Sequence, residues 1–145
     1  MTPDARTFPE LRTLVPHAGA MCLLERIVGA SDTGIACATH SHRSATNPLR
    51  RNGRLAALHL AEYGAQAMAA HGGLQNPAEA AAGGMLVAIR DLTLQVARLD
   101  DLDGELLVNA TRLVANPGGR IYSFIASIDG REIGGGRVSV MTGVG

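Results

Sequence analysis

The sequence predicts an α+β fold in which an antiparallel sheet wraps a single helix. Three observations predict it. One stretch, Leu55 to Ala70, carries apolar residues at helical spacing without a Pro. Runs on both sides of it alternate apolar and polar residues, as half-buried strands do. Clusters of Gly, Asp, Asn and Pro separate those runs. Two strands, then one helix, then three or four longer strands is an order that a sheet with a helix on one face satisfies.

The elements follow in order. Residues 1–13, with Pro3 and Pro9, read as a tail or first turn. Met21 to Ala30 reads as a strand, Ser31-Asp32-Thr33-Gly34 as a turn, and Ile35 to His42 as its hairpin partner. Residues 43–54 have no period. Asn52 is a candidate N-cap for the helix, and His71-Gly72-Gly73 a candidate stop. On that helix Leu55, Leu58, Ala61, Glu62, Ala65, Gln66 and Ala69 share one face. An Ala/Gly-rich loop over 75–84 follows. Strands are then expected over Met85–Ala97, Leu106–Ala115, Ile121–Ile128 and Ile133–Met141, with Asp129-Gly130 a tight turn. Gly134-Gly135-Gly136 inside the last strand predicts a bulge or a close backbone approach. No repeat or boundary interrupts residues 1–145, so one domain is expected.

Composition narrows the function. Hydrophobic residues make up 46% of the chain but aromatics only 3%, which predicts a shallow core that a second chain would complete. The net charge is zero and all 13 basic residues are Arg, so no global field draws in nucleic acid. Arg43, Arg50, Arg51 and Arg54 nevertheless cluster in the segment before the helix, either as a solvated loop or as a patch for an acidic partner. Cys22 and Cys37 read as small buried residues in a reducing compartment. No apolar stretch reaches the ~20 residues of a membrane span, and no secretory signal pattern opens the chain, so a cytoplasmic protein is expected.

Two ionisable residues stand where packing alone would not put them. Glu62 lies inside the Ala- and Leu-rich helix, where a desolvated carboxyl tends to keep its proton and can act as a general acid. Gln66, one turn on, can hold it by hydrogen bonding. His17 lies in a Pro16–Gly19 loop, and an imidazole there can serve as a base. His40 and His42 would share a strand face, but no third ligand completes a metal site.

Val15-Pro16-His17, followed by Met21-Cys22-Leu23-Leu24-Glu25-Arg26-Ile27, resembles the opening of the 3-hydroxyacyl-ACP dehydratases of the FabZ/FabA type. Glu62-x-x-Ala65-Gln66-Ala67 resembles that family's helix motif, Glu-Ala-x-Ala-Gln-Ala. The segment Pro48-Leu49-Arg50-Arg51-x-Gly53-Arg54-Leu55, with Ala61-Glu62-Tyr63-x-Ala65-Gln66-Ala67-Met68-Ala69-x-His71-Gly72, is closer still to the ApeP-like branch, hot-dog dehydratases of aryl-polyene and related lipid gene clusters. Ala56-Ala57 stand where the wider family has Pro-Gly.

The resemblance implies a hot-dog fold, a long central helix wrapped by a curved antiparallel sheet. It implies a homodimer or heterodimer with another hot-dog protein, with His17 of one chain facing Glu62 of the other. It implies dehydration of a 3-hydroxyacyl group on acyl carrier protein to a trans-2-enoyl thioester. His17 and Glu62 would be catalytic, an N–H of Ala57 or Leu58 would bind the thioester oxygen, and Gln66 would orient Glu62. No metal or redox cofactor is implied. Arg43, Arg50, Arg51 and Arg54 would meet the carrier protein or its phosphopantetheine. Two other roles stay open: a hot-dog subunit that stabilises an active partner, and a hot-dog thioesterase.

Overall fold

A computed structural model describes residues 10, 11, 22–76 and 85–141 of the chain, with the backbone alone at 85–87. Six strands and one helix make up the fold: β1 (Arg26–Ala30), β2 (Gly34–Thr39), α1 (Leu60–Gln75), β3 (Met85–Leu94), β4 (Leu106–Asn116), β5 (Gly119–Ile128) and β6 (Arg131–Met141). The strands form one antiparallel sheet in the order β1-β2-β4-β5-β6-β3. The helix packs on one face of it, the wrapped-helix arrangement expected from the sequence.

The turns follow from their residues. Asp129 and Gly130 both have positive φ (52° and 79°), which gives the β5–β6 hairpin a two-residue turn matched to the sheet twist. The Asn116 side chain accepts the N–H groups of Gly118 and Gly119 (2.9 and 3.1 Å). That bond tightens the β4–β5 hairpin, so β4 and β5 run one and two residues closer to the turn than expected. The Gly134–Gly136 expectation holds in both senses. Ile133 is an extra residue on β6 opposite Ala126–Ser127. A Cβ on Gly135 would lie 2.6 Å from the Phe124 carbonyl oxygen.

Four expectations are corrected. The first strand is shorter: it begins at Arg26, although the Glu25 N–H just before it already bonds the Ala38 carbonyl (3.1 Å). β2 stops at Thr39, and Ser41–Arg43 is a 3-10 turn, so His40 is exposed and His42 buried rather than side by side. Asn52 is no N-cap. With Gly53 it forms a turn with φ of 53° and 75°, closed by Arg51 N–H to Arg54 O (2.8 Å) and the reverse bond (3.0 Å). The helix starts at Leu60 after a 3-10 turn at Ala57–His59, because Ala56 is extended and bridges Arg98. It then runs through Gly72 and Gly73, which are buried, and ends where Asn76 N–H bonds Gly72 O (2.9 Å). Packing there outweighs the low helix propensity of Gly.

The helix also faces the other way from the expected orientation. Leu60, Tyr63, Gly64, Ala67, Met68 and Ala70 are buried. Ala61, Glu62, Ala65 and Ala69 form a partly open face. Opposite the buried face lie Ile35, Cys37, Val108, Ala110, Tyr122, Phe124 and Val138. Cys37 is fully buried and its thiol is pushed up to about 12, by burial first and by nearby Cys22 second. Cys22 is only half-buried, and neither cysteine is in a disulfide. Among the described residues no helix is long and apolar enough to cross a membrane.

Two histidines are built into this core. His71 donates from Nε2 to the Ser31 carbonyl (2.8 Å), so its Nδ1 accepts from the Tyr122 hydroxyl. His42 donates from Nε2 to the Leu102 carbonyl (3.1 Å). Burial lowers both pKa values. The folded state therefore binds fewer protons than the unfolded chain once the pH falls through the ordinary histidine value of about 6.5. Stability is full above that pH and is lost below it, by up to ~1.4 kcal/mol per pH unit for each histidine until the folded value is reached. Urea denaturation at pH 7.5 and pH 5.5 is expected to show this loss, and His71→Gln is expected to reduce its size.

Candidate active site

Glu62 sits in the first turn of α1 and is half-buried on the helix face turned from the sheet. Gln66, one turn on, is 2% exposed. Its amide nitrogen donates to Glu62 Oε2 (3.2 Å), and its oxygen accepts the Leu23 N–H (2.8 Å). The Leu23 bond fixes which end of the amide faces the carboxyl.

The helix lead-in is held from the β3–β4 connection. Ala57 N–H donates to Ala97 O (3.0 Å), and Leu99 N–H to Leu55 O (2.8 Å). Asp100 accepts the Leu55 N–H (2.8 Å), and Arg98 grips the same carboxylate. Arg98 first, and the Leu55 N–H second, hold the Asp100 carboxyl far below the usual range. Of the two candidate oxyanion donors, Ala57 is thus already engaged. Leu58, the next residue of the turn, has a side chain 56% exposed beside the open face. His17 lies outside the described residues. The described chain resumes at Cys22, one residue before the Leu23 peptide that Gln66 holds.

The arginines divide. Arg50 donates to the carbonyls of Gly53 (3.0 Å), Arg43 (3.0 Å) and His42 (3.4 Å), and so folds its own loop. Arg43 pairs with Asp103 (3.1 Å) and donates to the Asp100 carbonyl (3.2 Å). Arg51 donates to the Arg50 and Pro48 carbonyls (2.9 and 3.3 Å) from an exposed position, and Arg54 is exposed. Among the described residues no group of His, Cys, Asp and Glu is arranged to hold a metal.

Sequence reasoning missed a polar cluster beneath the helix: Thr39, Ser41, Asn47 and Tyr63, bonded to one another and to the Leu23 carbonyl. One signal was present. Tyr63 stands where the resembled helix motif has Ala.

Comparison with known proteins agrees with this geometry. In the dehydratase heterocomplex ApeI:P from Xenorhabdus doucetiae, a chain matches at TM-score 0.81 and 22% identity, over 94% of this chain and 93% of that one. Zebra fish thioesterase superfamily member 2 matches at TM-score 0.59 and 17% identity, over 92% and 93%. A hypothetical thioesterase with coenzyme A from Streptococcus pneumoniae TIGR4 matches at 0.57 and 15%, over 81% and 85%. These likenesses establish the hot-dog fold. No curated protein matches the sequence. The family model for ApeP dehydratase, ApeP-like, matches residues 9–143. Matched over residues 9–143, nearly its whole length, the chain belongs to the ApeP-like dehydratase family.

Proposed function

We propose that the protein dehydrates a 3-hydroxyacyl thioester carried on acyl carrier protein, as one subunit of a hot-dog dimer. The observation that carries this reading is the half-buried Glu62 carboxyl, held by the Gln66 amide on the helix face turned from the sheet. His17 removes a proton from Cα. The electrons form the Cα–Cβ double bond, Glu62 protonates the departing β-hydroxyl, and water and a trans-2-enoyl thioester result. The Leu58 N–H supports the thioester oxygen as it gains charge. The side chains named supply both proton transfers, and no cofactor has a part in these steps. Arg51 and Arg54 are exposed, whereas the equally exposed Arg43 pairs with Asp103, so the first two are the arginines offered to an acidic carrier or a phosphate.

A partner subunit belongs to this reading. Glu62 and Leu58 lie on a face that this chain leaves partly open, and the structural neighbour ApeI:P is a dehydratase heterocomplex. The same openness favours a second reading, in which this chain stabilises a partner that does the chemistry. Intact-mass spectrometry of a 3-hydroxyacyl carrier protein separates the possibilities. Loss of one water with the purified chain alone, or in a complex whose activity needs Glu62, supports the proposal. Water loss that a co-expressed hot-dog partner performs regardless of Glu62 supports the stabilising role. Release of a free acid would overturn both in favour of a thioesterase.

A further inference from the structure

We infer that Tyr63 is a positioning residue for Glu62, acting through Ser41, the Leu23 backbone and Gln66; this rests on the reading of Glu62 as the acid. The two residues are neighbours in the chain but point to different sides of the helix. Tyr63 is fully buried beneath it, while Glu62 faces its open side. Their connection runs through six groups whose hydrogen-bond directions can be assigned.

Ser41 Oγ donates to the Leu23 carbonyl (2.6 Å) and so has spent its only hydrogen. The Tyr63 hydroxyl, 2.8 Å from Ser41 Oγ, must therefore donate to it. Tyr63 in turn accepts from the Asn47 side-chain amide (3.2 Å), which also donates to the Ser41 carbonyl (2.9 Å). On the other side of the Leu23 Cα, in the preceding peptide group, the Leu23 N–H donates to Gln66 (2.8 Å), and Gln66 donates to Glu62 Oε2 (3.2 Å). Two runs of aligned donors result, from Asn47 through Tyr63 and Ser41 to the Leu23 carbonyl, and from the Leu23 N–H through Gln66 to Glu62. Bonds aligned in that way polarise one another. The Leu23 carbonyl and N–H belong to successive peptide groups joined at its Cα, so the two runs are coupled by position: a shift of the Leu23 backbone moves Gln66 and the carboxyl that Gln66 holds.

The Leu23 backbone is the hinge of the arrangement. Thr39 Oγ1 (2.7 Å) and Ser41 Oγ both hold its carbonyl, and Gln66 alone among the described residues holds its N–H. Loss of the Tyr63 hydroxyl frees Ser41 to rotate, which loosens that backbone and with it the Gln66 bond that orients the acid. The Ala of the resembled motif has no hydroxyl to offer, so this device belongs to the Tyr63 form of the helix.

The test is Tyr63→Phe, with Ser41→Ala as a second variant that leaves the ring in place, in isotopically labelled full-length protein. Amide exchange at Leu23 is expected to speed by about 10-fold, the worth of one lost hydrogen bond. The carboxyl carbon resonance of Glu62 is expected to shift, while exchange at Cys37 in the core stays unchanged. Turnover is expected to fall by about 10-fold with KM within about twofold, as for an interaction felt at the acid rather than in substrate binding. Unchanged Leu23 exchange and an unchanged Glu62 resonance in both variants would overturn the inference. The nuclear resonance readouts need no turnover, so absence of dehydration in the wild type would count against the proposed function and leave this inference to be decided by Leu23 and Glu62.

Discussion

Glu62→Gln is expected to lower the dehydration rate by 10²-fold or more, with KM within about threefold and the urea midpoint close to that of the wild type. The substitution keeps the shape and leaves an oxygen that can accept the Gln66 amide bond. What it removes is an O–H able to protonate a departing hydroxyl, and a positioned general acid contributes about 10²–10⁴-fold. Because the side chain is half-buried on an open face, little packing is at stake. Glu62→Asp separates reach from chemistry. It keeps the acid but shortens it by one methylene, moving it away from Gln66 one turn on, and a loss between wild type and Glu62→Gln is expected. The measurement is the intact-mass assay read as initial rates. Full activity in Glu62→Gln would remove Glu62 from the mechanism.

Gly64→Val is expected to cost about 3 kcal/mol or more of stability, the largest single effect in the fold. A Cβ at Gly64 would meet three carbons of the Phe124 ring at 2.5, 2.6 and 2.7 Å. That ring is buried against the helix and has little free volume to retreat into. Helix propensity pulls the other way, since Gly is about 1 kcal/mol worse than Ala inside a helix, but the clash outweighs it. Urea midpoints measure the loss. Phe124→Leu in the same chain is expected to recover part of it, a coupling that a double-mutant cycle quantifies. An unchanged midpoint in Gly64→Val would mean that the helix does not sit against β5 at this distance.

Strands were legible because a period of two survives in the composition. Asp129-Gly130 marked its hairpin for a local reason: its two residues tolerate positive φ. The limits of the helix were harder to read. Asn52 serves a cap or a turn equally well, and only the neighbouring Gly53, also at positive φ, tips it to a turn. Gly72 and Gly73 look like a stop until burial is known. The buried face was misjudged because Ala occurs on every side of the helix and carries almost no periodic signal, so the sheet's Phe124 and Tyr122 decide which side is covered. Within the site, Glu62 and Gln66 could be paired from their spacing of four. The bond from Leu23 to Gln66 spans 43 residues and has no local signature. The dehydratase family was read from motifs and stands with the ApeP-like match over residues 9–143.

The sheet order has a consequence for how the chain is made. β3, the third strand in the sequence, lies at the sheet's edge, and its single neighbour is β6, the last of the described strands. β4, β5 and β6 form a meander of consecutive hairpins that can zip locally as they are synthesised. β3 precedes all three and must wait for them. Until Arg131–Met141 has left the ribosome, a ten-residue strand and the helix before it have no completed surface to dock on. Loop closure between β3 and β6 spans the whole meander, and such long-range pairings are formed slowly. The nascent chain therefore holds the Glu62 helix unfinished until β6 has been made, which makes that strand the step that commits this domain to its fold.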